Sequence, residues 1–224
     1  MNSSIQTVVL IRHARSVAND DPSVYRTMSD HAIPLVRPDD DPAALAAGDA
    51  LAALEFDPSL VCAWYSPYLR TRQTQRLVLT RAFGASELMV SRRESFLLRE
   101  QEFGDWDSLT DAEIAVRDPE RYARLQRMTD SLGRFYFRYP HGESRADVVT
   151  RITLLLGKVQ RSRFRHHVVF LHGVTQRAFR MAWLNHPAEW FERERNPANA
   201  SMLRIVRDEL GRWREDVLYP GDAR

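Results

Sequence analysis

The sequence predicts an α/β fold: a three-layer α/β/α sandwich with a mainly parallel central sheet and a helical insertion over the carboxyl edge of that sheet. Two observations predict it. Short apolar strands alternate with helical segments, which is the pattern of a parallel sheet covered by helices on both faces. Two of these strands run directly into a histidine, at His13 and at His172. In an open α/β sheet, strand ends of this kind form the edge where ligands bind.

The elements follow from apolar spacing and from the residues that begin and end them. The predicted strands cover residues 5–12, 60–65, 87–91, 167–171, 201–207 and 212–218, the last two as a hairpin. Residues 20–42 hold four prolines and an acidic triplet and are predicted to form a loop. Pro42 begins an amphipathic helix that runs through Leu54. The next helix continues to about Phe83, with Ser66 as its N-cap and Pro67 in its first turn.

Two further helices are predicted, over residues 144–161 and from Gly173 to about Asn185. Residues 96–140 differ from the rest of the chain because they are rich in arginine and aromatic side chains. This segment is predicted to form the insertion, with about two helices, and Trp106 is predicted to face the site. No linker or repeat interrupts the chain, so residues 1–224 are predicted to be a single domain.

Composition narrows the classes of protein to consider. The formal net charge is 32 minus 30, or +2, which gives no general case for nucleic-acid binding. No apolar stretch is long enough to span a membrane, so no membrane partner is expected. The first apolar run lacks the flanks of a leader, which favours a cytoplasmic location. The one cysteine, Cys62, cannot form an intramolecular disulfide and is predicted to be buried.

Four segments at or near strand exits carry residues suited to phosphate chemistry. They are LIRHARSVAN (10–19), YSPYLRTRQT (65–74), LLREQEFGDW (97–106) and VVFLHGVTQR (168–177). In this order they resemble the histidine phosphatase superfamily, also called phosphoglycerate mutase-like, in its phosphatase branch. That family has Arg-His-Gly after the first strand, Ser-Pro-x-x-Arg-x-x-x-Thr after the second, an acidic residue in the insertion, and a late His-Gly pair. The segment PHGESRADV (140–148) and the region of Asn199 also resemble the phosphatase branch.

The resemblance implies a catalytic role for each matching residue. His13 would attack phosphorus through an unprotonated ring nitrogen and form a phosphohistidine. Arg12, Arg70 and His172 would bind the phosphoryl oxygens and offset the charge that builds up in the transition state. Asn19 would hydrogen-bond one of the same oxygens. Backbone N–H groups at the start of the helices after Ser66 or Gly173 would add further donors.

Glu100 would be the general acid that protonates the leaving oxygen and then the base that activates water. Glu102 is the alternative acid, because it lies only two residues away. One position departs from the family pattern: Ala14 stands where the family has glycine. If this position needed a positive φ, its Cβ would crowd the bound phosphate.

These residues predict a metal-independent, histidine acid phosphatase-type phosphomonoesterase that acts on a small phosphorylated molecule. No metal or cofactor is expected, because the arginines supply the positive charge. His166 and His167 are adjacent in a strand and point to opposite faces, so they are not expected to share an ion. A cofactor-dependent phosphoglycerate mutase and a non-catalytic phosphate-binding or interaction module are the alternatives. A homodimer through the edge strand of the C-terminal hairpin is left open.

Overall fold

The computed structural model describes residues 5–222. Residues 1–4, which belong to the stretch that argues against a leader, lie outside the described residues. Its centre is a six-stranded sheet in the order β3-β2-β4-β1-β5-β6. The strands are β1 (Thr7–Arg12), β2 (Val61–Tyr65), β3 (Ser91–Glu94), β4 (His166–Leu171), β5 (Met202–Arg207) and β6 (Trp213–Tyr219). Strands β1 to β4 pair in parallel, and β5 is antiparallel to both β1 and β6.

Helices cover both faces of this sheet. They are α1 (Val17–Asp20), α2 (Pro42–Ala52), α3 (Leu69–Phe83), α4 (Asp111–Arg117), α5 (Pro119–Leu132), α6 (Arg145–Gln160), α7 (Gly173–Leu184) and α8 (Ala188–Arg193). One hydrophobic core joins the sheet to α6 and α7, and a second joins it to α2 and α3. The predicted three-layer α/β/α sandwich with a mainly parallel sheet is therefore confirmed.

Strict alternation along the central strands produces these two cores. In β1, Val8 and Leu10 belong to the core under α6 and α7, whereas Val9 and Ile11 belong to the core under α2 and α3. All four side chains are fully buried. A strand buried on both faces appears in the sequence as a continuous apolar run, which is why β1 was predictable. Cys62 lies in β2 and is buried, as predicted, and burial raises the pKa of its thiol.

Two element predictions were wrong. The third strand was predicted over residues 87–91, but it lies at Ser91–Glu94, after a 3-10 segment at Gly84–Met89. The apolar residues that suggested it, Leu88 and Met89, are exposed, whereas the strand itself is a polar edge strand that pairs only with β2. Helix α3 begins at Leu69 with Tyr68 as its N-cap, so Ser66 is not the cap.

The segment 96–140 contributes α4 and α5 and has a small core of its own. That core contains Trp106, Ile114, Leu125 and Phe137. Trp106 is buried in it, and its ring stacks on Phe137 with centroids 5.5 Å apart. The prediction that Trp106 faces the site was therefore wrong. Its ring packs inward and connects α4 and α5 to the segment that follows α5.

Strand β6 lies at the edge of the sheet, and pairing across a homodimer through it stays a prediction. Across residues 5–222, none of the helices combines the length and apolar character that crossing a bilayer requires. A cytoplasmic location also stays a prediction.

Candidate active site

The register of the sheet brings the two histidines together. In the parallel pair β1–β4, Arg12 lies opposite Leu171, so His13 and His172 are each the first residue beyond the end of neighbouring strands. Neighbouring strands are about 4.8 Å apart. The imidazole rings of His13 and His172 accordingly lie with centroids 5.2 Å apart. Two apolar strands in parallel thus place both rings at the carboxyl edge of the sheet.

His13 is held as a neutral imidazole in one tautomer. Its Nδ1 lies 2.8 Å from the carbonyl oxygen of Ala14. A carbonyl can only accept, so Nδ1 carries the proton and Nε2 carries the lone pair. Burial lowers the pKa of His13 well below its usual value, and the charges of Arg70 and Arg12 lower it further. Nε2 is therefore available as a nucleophile at mildly acidic pH.

His172 is neutral for the same reasons and is anchored by a serine. Burial lowers its pKa well below the usual value, and the charges of Arg70 and Arg12 lower it further. Its Nε2 lies 2.9 Å from Ser66 Oγ. Its Nδ1 is buried and has no hydrogen-bond partner among residues 5–222. If the Ser66 hydroxyl donates to Nε2, the ring proton sits on Nδ1, where it can be donated to a phosphoryl oxygen.

Arg70 is a buried cation whose position is fixed by the loop after α1. Its side chain is 2% exposed, and Nη1 donates to both the backbone oxygen and Oδ1 of Asp30 at 2.7 Å. The guanidinium also lies over the ring of Tyr68, 5.0 Å from its centroid. Tyr68 in turn packs edge-on against His172 at 5.0 Å. Arg70 therefore presents a fixed positive charge beside both histidines.

Arg12 and two asparagines complete the side of the site next to β1. The Arg12 guanidinium donates to the backbone oxygen of Pro197. Asn199 is buried, and its Nδ2 donates to the backbone oxygen of His13 at 3.1 Å and to Asn19 Oδ1 at 3.1 Å. Since Asn19 Oδ1 also accepts from Ser16, the amide group that Asn19 can offer to an oxyanion is its Nδ2.

The carboxylate of Glu100 lies at the N-terminus of α7, the helix that begins directly after His172. Its Oε1 accepts from the N–H groups of Gln101 (3.0 Å) and Thr175 (3.2 Å). The Thr175 hydroxyl lies 3.1 Å from Oε1 and 2.8 Å from the backbone oxygen of Arg99, and its one proton is donated to either oxygen. Its Oε2 accepts from the N–H of Val174 at 3.2 Å. The free N–H groups at the start of α7 are thus directed at Glu100, whereas the sequence had suggested them as phosphate donors. With only one donor, Oε2 is the oxygen with room for a transferable proton.

Glu102, the alternative acid, lies in a different environment. Its side chain is 50% exposed, is 3.7 Å from the Arg99 guanidinium, and accepts from the hydroxyl of Tyr68 at 3.1 Å. Glu100 instead shares the helix start with His172. The geometry favours Glu100 as the group that exchanges a proton with substrate.

Residues from α6 hold the segment that carries Glu100. Arg151 is buried, and its guanidinium donates to the backbone oxygens of Leu97 and Glu100 and to the carboxylate of Glu143. The same carboxylate accepts from Arg99 at 2.7 Å. Glu143 belongs to the Gly-Glu-Ser segment singled out in the sequence, and Ser144 caps α6. This cluster (Arg99, Glu143 and Arg151) fixes the backbone on both sides of Glu100.

Ala14 fits the site without strain. Five non-glycine residues within 5–222 have positive φ, and Ala14 is not one of them. Its side chain is fully buried in the core under α2 and α3, and its N–H donates to Thr74 Oγ1 at 2.9 Å. The methyl group therefore packs away from the histidines, and this position does not need glycine.

A surface cleft of about 260 Å³ opens beside Glu100. Its lining includes Tyr25, Asp30 and Phe103 in addition to Glu100. Burial raises the pKa of Tyr25 to about 12, so its hydroxyl stays protonated. Phe103, three residues after Glu100, thus occupies the place in the site that had been expected for Trp106.

No metal centre is formed by the part of the chain that the structure describes. Within residues 5–222, no group of three or more His, Cys, Asp or Glu side chains is arranged to hold an ion. His166 stacks on Phe56 at 4.0 Å, and His167 accepts from Trp64 Nε1 at 3.0 Å on the other face of the sheet. The adjacent histidines therefore point apart, as predicted.

Sequence reasoning missed several residues that shape this site. Ser66 was assigned to helix capping, although it belongs to the quoted Ser-Pro motif and could have been tested as a partner of His172. Asp30 lies in an irregular loop, and Thr175 looks like an ordinary helical residue. Asn199 was noted only as part of a region. Apart from the motif serine, no local pattern identifies these partners, because their contacts join segments distant in sequence.

The family comparison covers nearly the whole chain. A family model described as the histidine phosphatase superfamily (branch 1) matches residues 8–218. The phosphoglycerate mutase-like protein AT74 of Arabidopsis thaliana is 33% identical over 223 residues. That match covers 91% of this chain and 65% of AT74, so the chain spans just under two thirds of the length of that relative.

Two other relatives carry phosphatase names. The broad-range acid phosphatase DET1 of Saccharomyces cerevisiae is 31% identical over 124 residues, which cover 50% of this chain and 33% of that protein. Among solved structures, the complex of mycobacterial glucosyl-3-phosphoglycerate phosphatase with VO3 superposes with a TM-score of 0.69 at 25% identity. That match covers 97% of this chain and all of the other.

Proposed function

Because the chain belongs to branch 1 of the histidine phosphatase superfamily, we propose that it is a metal-independent phosphomonoesterase that acts through phospho-His13. One observation carries the proposal. His13 and His172 are buried, neutral and 5.2 Å apart, and Arg12 and Arg70 act on the pKa of both. A neutral nucleophile among fixed cations is what attack on a phosphate dianion requires.

In the first step, the Nε2 lone pair of His13 attacks phosphorus. The bond from phosphorus to the leaving oxygen breaks, and that oxygen takes a proton from the Glu100 carboxyl group. The products are the free alcohol and an Nε2–phosphohistidine. The positive charge that develops on the ring is stabilised by the Ala14 carbonyl, which accepts from Nδ1. Arg12, Arg70 and the Nδ1–H of His172 bind the phosphoryl oxygens.

In the second step, the Glu100 carboxylate takes a proton from water, and the resulting hydroxide attacks phosphorus. The nitrogen–phosphorus bond breaks, and its electron pair returns to Nε2 of His13. Inorganic phosphate leaves, and Glu100 is again protonated. The water is the acceptor, so the overall reaction is hydrolysis.

The test follows phosphate release from p-nitrophenyl phosphate at mildly acidic pH, with EDTA present. We expect turnover by the wild-type protein that is unaffected by EDTA, and release at the uncatalysed rate by His13→Ala. A base-stable, acid-labile phosphate on His13 in quenched wild-type protein would identify the intermediate. Absence of turnover by the wild-type protein would overturn the proposal and favour a non-catalytic phosphate-binding module.

A phosphoglycerate mutase is the second candidate, because AT74 carries a mutase-like name. A mutase must keep the phosphoenzyme from water and must bind a substrate that carries a carboxylate. The cleft beside Glu100 opens to the surface and is lined by carboxylates itself. We therefore expect no isomerisation of phosphoglycerate when bisphosphoglycerate is added. Isomerisation that depends on it would assign the mutase reaction instead.

A further inference from the structure

The cleft beside Glu100 is the place for the leaving group. This inference rests on the proposed function, in which Glu100 gives its proton to the leaving oxygen. The phosphoryl group lies among the histidines and arginines, so the rest of the substrate must lie on the Glu100 side. The cleft there has a volume of about 260 Å³, which is enough for a leaving group of a few carbon atoms and their hydroxyls.

The lining of the cleft is acidic and includes no basic side chain. Asp30, Glu100 and Asp107 line it, and none of its ten lining side chains is basic. Asp30 is paired with Arg70. Asp107 has no ion-pair partner within residues 5–222. Partial burial and then the charge of Asp30 raise the pKa of Asp107, whereas the charge of Arg70 lowers it.

Gln101, one of the lining residues, also has a buried side-chain acceptor without a hydrogen-bond partner among the described residues. Gln101 lines the cleft and is only 3% exposed. Its Nε2 donates to the backbone oxygen of Glu143 at 2.9 Å, which fixes the orientation of the amide. Its Oε1 is buried and has no hydrogen-bond partner among the described residues. A buried acceptor of this kind is costly unless a water or a bound molecule donates to it, and a substrate hydroxyl is one such donor.

These groups specify the chemistry of the leaving group. The carboxylate of Asp107 and Oε1 of Gln101 both accept hydrogen bonds, so they pair with donors and repel anions. The rings of Tyr25 and Phe103 line the same cleft and can pack against C–H groups. We infer that the preferred substrate is the monophosphate of a small polyol or sugar, whose leaving group carries hydroxyls and no negative charge.

Glycerol 3-phosphate and 3-phosphoglycerate form a matched pair of probes, because they differ only in a CH₂OH group in place of a carboxylate. We expect kcat/KM to be at least about tenfold higher for glycerol 3-phosphate, since one repulsive contact between charges is enough for that ratio. Propyl phosphate lacks the hydroxyls. We expect its kcat/KM to be about tenfold lower than that of glycerol 3-phosphate, because the Asp107 carboxylate and Gln101 Oε1 would then have no donor.

Variants identify the side chain responsible for the selection. Asp107→Asn should lower the ratio of the two matched substrates by about fivefold, mainly through a gain with 3-phosphoglycerate. Asp105→Asn is the control, because Asp105 is also exposed but pairs with His141 and does not line the cleft. This control should leave the ratio unchanged.

Three results would overturn the inference: equal or faster turnover of 3-phosphoglycerate, faster turnover of propyl phosphate than of glycerol 3-phosphate, or the same ratio in Asp107→Asn as in wild type. Each would be read against turnover of p-nitrophenyl phosphate. If that general substrate is hydrolysed, only the assignment of the cleft fails. If it is not hydrolysed, the proposed phosphatase reaction itself fails.

Discussion

The reactivity proposed for His13 depends on which ring nitrogen carries the proton. The Ala14 carbonyl settles this, because it accepts from Nδ1 and leaves the lone pair on Nε2. Burial is the main cause of the lowered pKa, and Arg70 and Arg12 add to it. Any change that opens the site to water would therefore allow His13 to take up a proton and lose its nucleophilic lone pair.

Ala14 itself supports the fold beside the nucleophile. We expect Ala14→Gly to lower the free energy of unfolding by about 1–2 kcal/mol, because a buried methyl group is lost and the unfolded backbone gains freedom. It should bring no gain in kcat, since the φ of Ala14 is not positive. Urea unfolding and steady-state kinetics on the two proteins measure both effects.

Ala200 provides the matched control, because it is equally buried but has a φ of 57°. At that position glycine relieves backbone strain, so Ala200→Gly should cost clearly less than Ala14→Gly. A rise in kcat for Ala14→Gly would show that the methyl group does crowd bound phosphate.

Single residues also show which parts of the candidate site could be predicted from the sequence and which could not. His13, His172, Arg12 and Arg70 follow from apolar strands that end in polar residues and from a motif at the start of α3. Their partners do not follow, because Asp30 reaches Arg70 from a loop 40 residues away in sequence. Such contacts depend on how loops cross the sheet edge, which no local pattern encodes.

At the scale of elements, α6 and α7 together hold Glu100, the acid of the proposed reaction. The N-terminus of α7 donates to the Glu100 carboxylate, and the cluster formed by Arg99, Glu143 and Arg151 fixes the backbone that carries it. Glu143 is a positioning residue in this arrangement, since it acts through the segment that carries Glu100.

We expect Glu143→Gln to affect alkyl phosphates far more than p-nitrophenyl phosphate. A poorly placed acid matters when the leaving alkoxide is a strong base, whereas nitrophenolate leaves without being protonated. The predicted loss in kcat/KM is about tenfold with an alkyl phosphate and less than about threefold with the nitrophenyl ester. Kinetics with both substrates on the same preparation measure the difference.

Arg145→Gln serves as the control, because Arg145 lies only two residues after Glu143, at the start of α6, but pairs with Glu192 and not with the segment that carries Glu100. It should change both substrates equally. Equal losses for both substrates in Glu143→Gln would mean that this residue only stabilises the fold.

The elements differ in how well the sequence predicted them, for physical reasons. Strands β1 and β4 are buried on both faces and appear as apolar runs, and Pro42 and Ser144 mark helix starts. Strand β3 is polar and sits at the sheet edge, so hydrogen bonding to β2 alone defines it. The exposed Leu88 and Met89 misplaced it, because apolar residues are frequent on surfaces too.

At the scale of the whole molecule, buried neutral histidines couple stability to pH. Burial lowers the pKa of His167 from 6.5 to about 4, and it also lowers those of His13, His166 and His172. Each therefore takes up its proton at a lower pH in the folded state than in the unfolded state, where the pKa is near 6.5. The unfolded state therefore binds more protons, so these groups stabilise the fold above pH 6.5 and lose that contribution as pH falls.

His167 gives a value for this effect. A pH of 5 lies about 1.5 units below the pKa of the unfolded histidine. Protonation therefore stabilises the unfolded state by roughly 2 kcal/mol at that pH. We expect the free energy of unfolding to fall between pH 7.5 and pH 5, and to fall about 2 kcal/mol less in His167→Gln. The glutamine side chain keeps an acceptor for Trp64 Nε1. The difference in the free energy of unfolding between wild type and His167→Gln at pH 7.5 measures the cost of the substitution to packing.

We expect the acid limit of the proposed activity to have its origin in the fold. Burial and the charges of Arg70 and Arg12 hold the pKa of His13 well below its usual value, so we expect a fall in pH to unfold the molecule before it protonates the nucleophile. Activity with p-nitrophenyl phosphate and the circular dichroism of the sheet and helices should therefore be lost together, in one cooperative step. His167→Gln should move both transitions to lower pH. A one-proton loss of activity in a molecule that stays folded would instead place the limit at the active site.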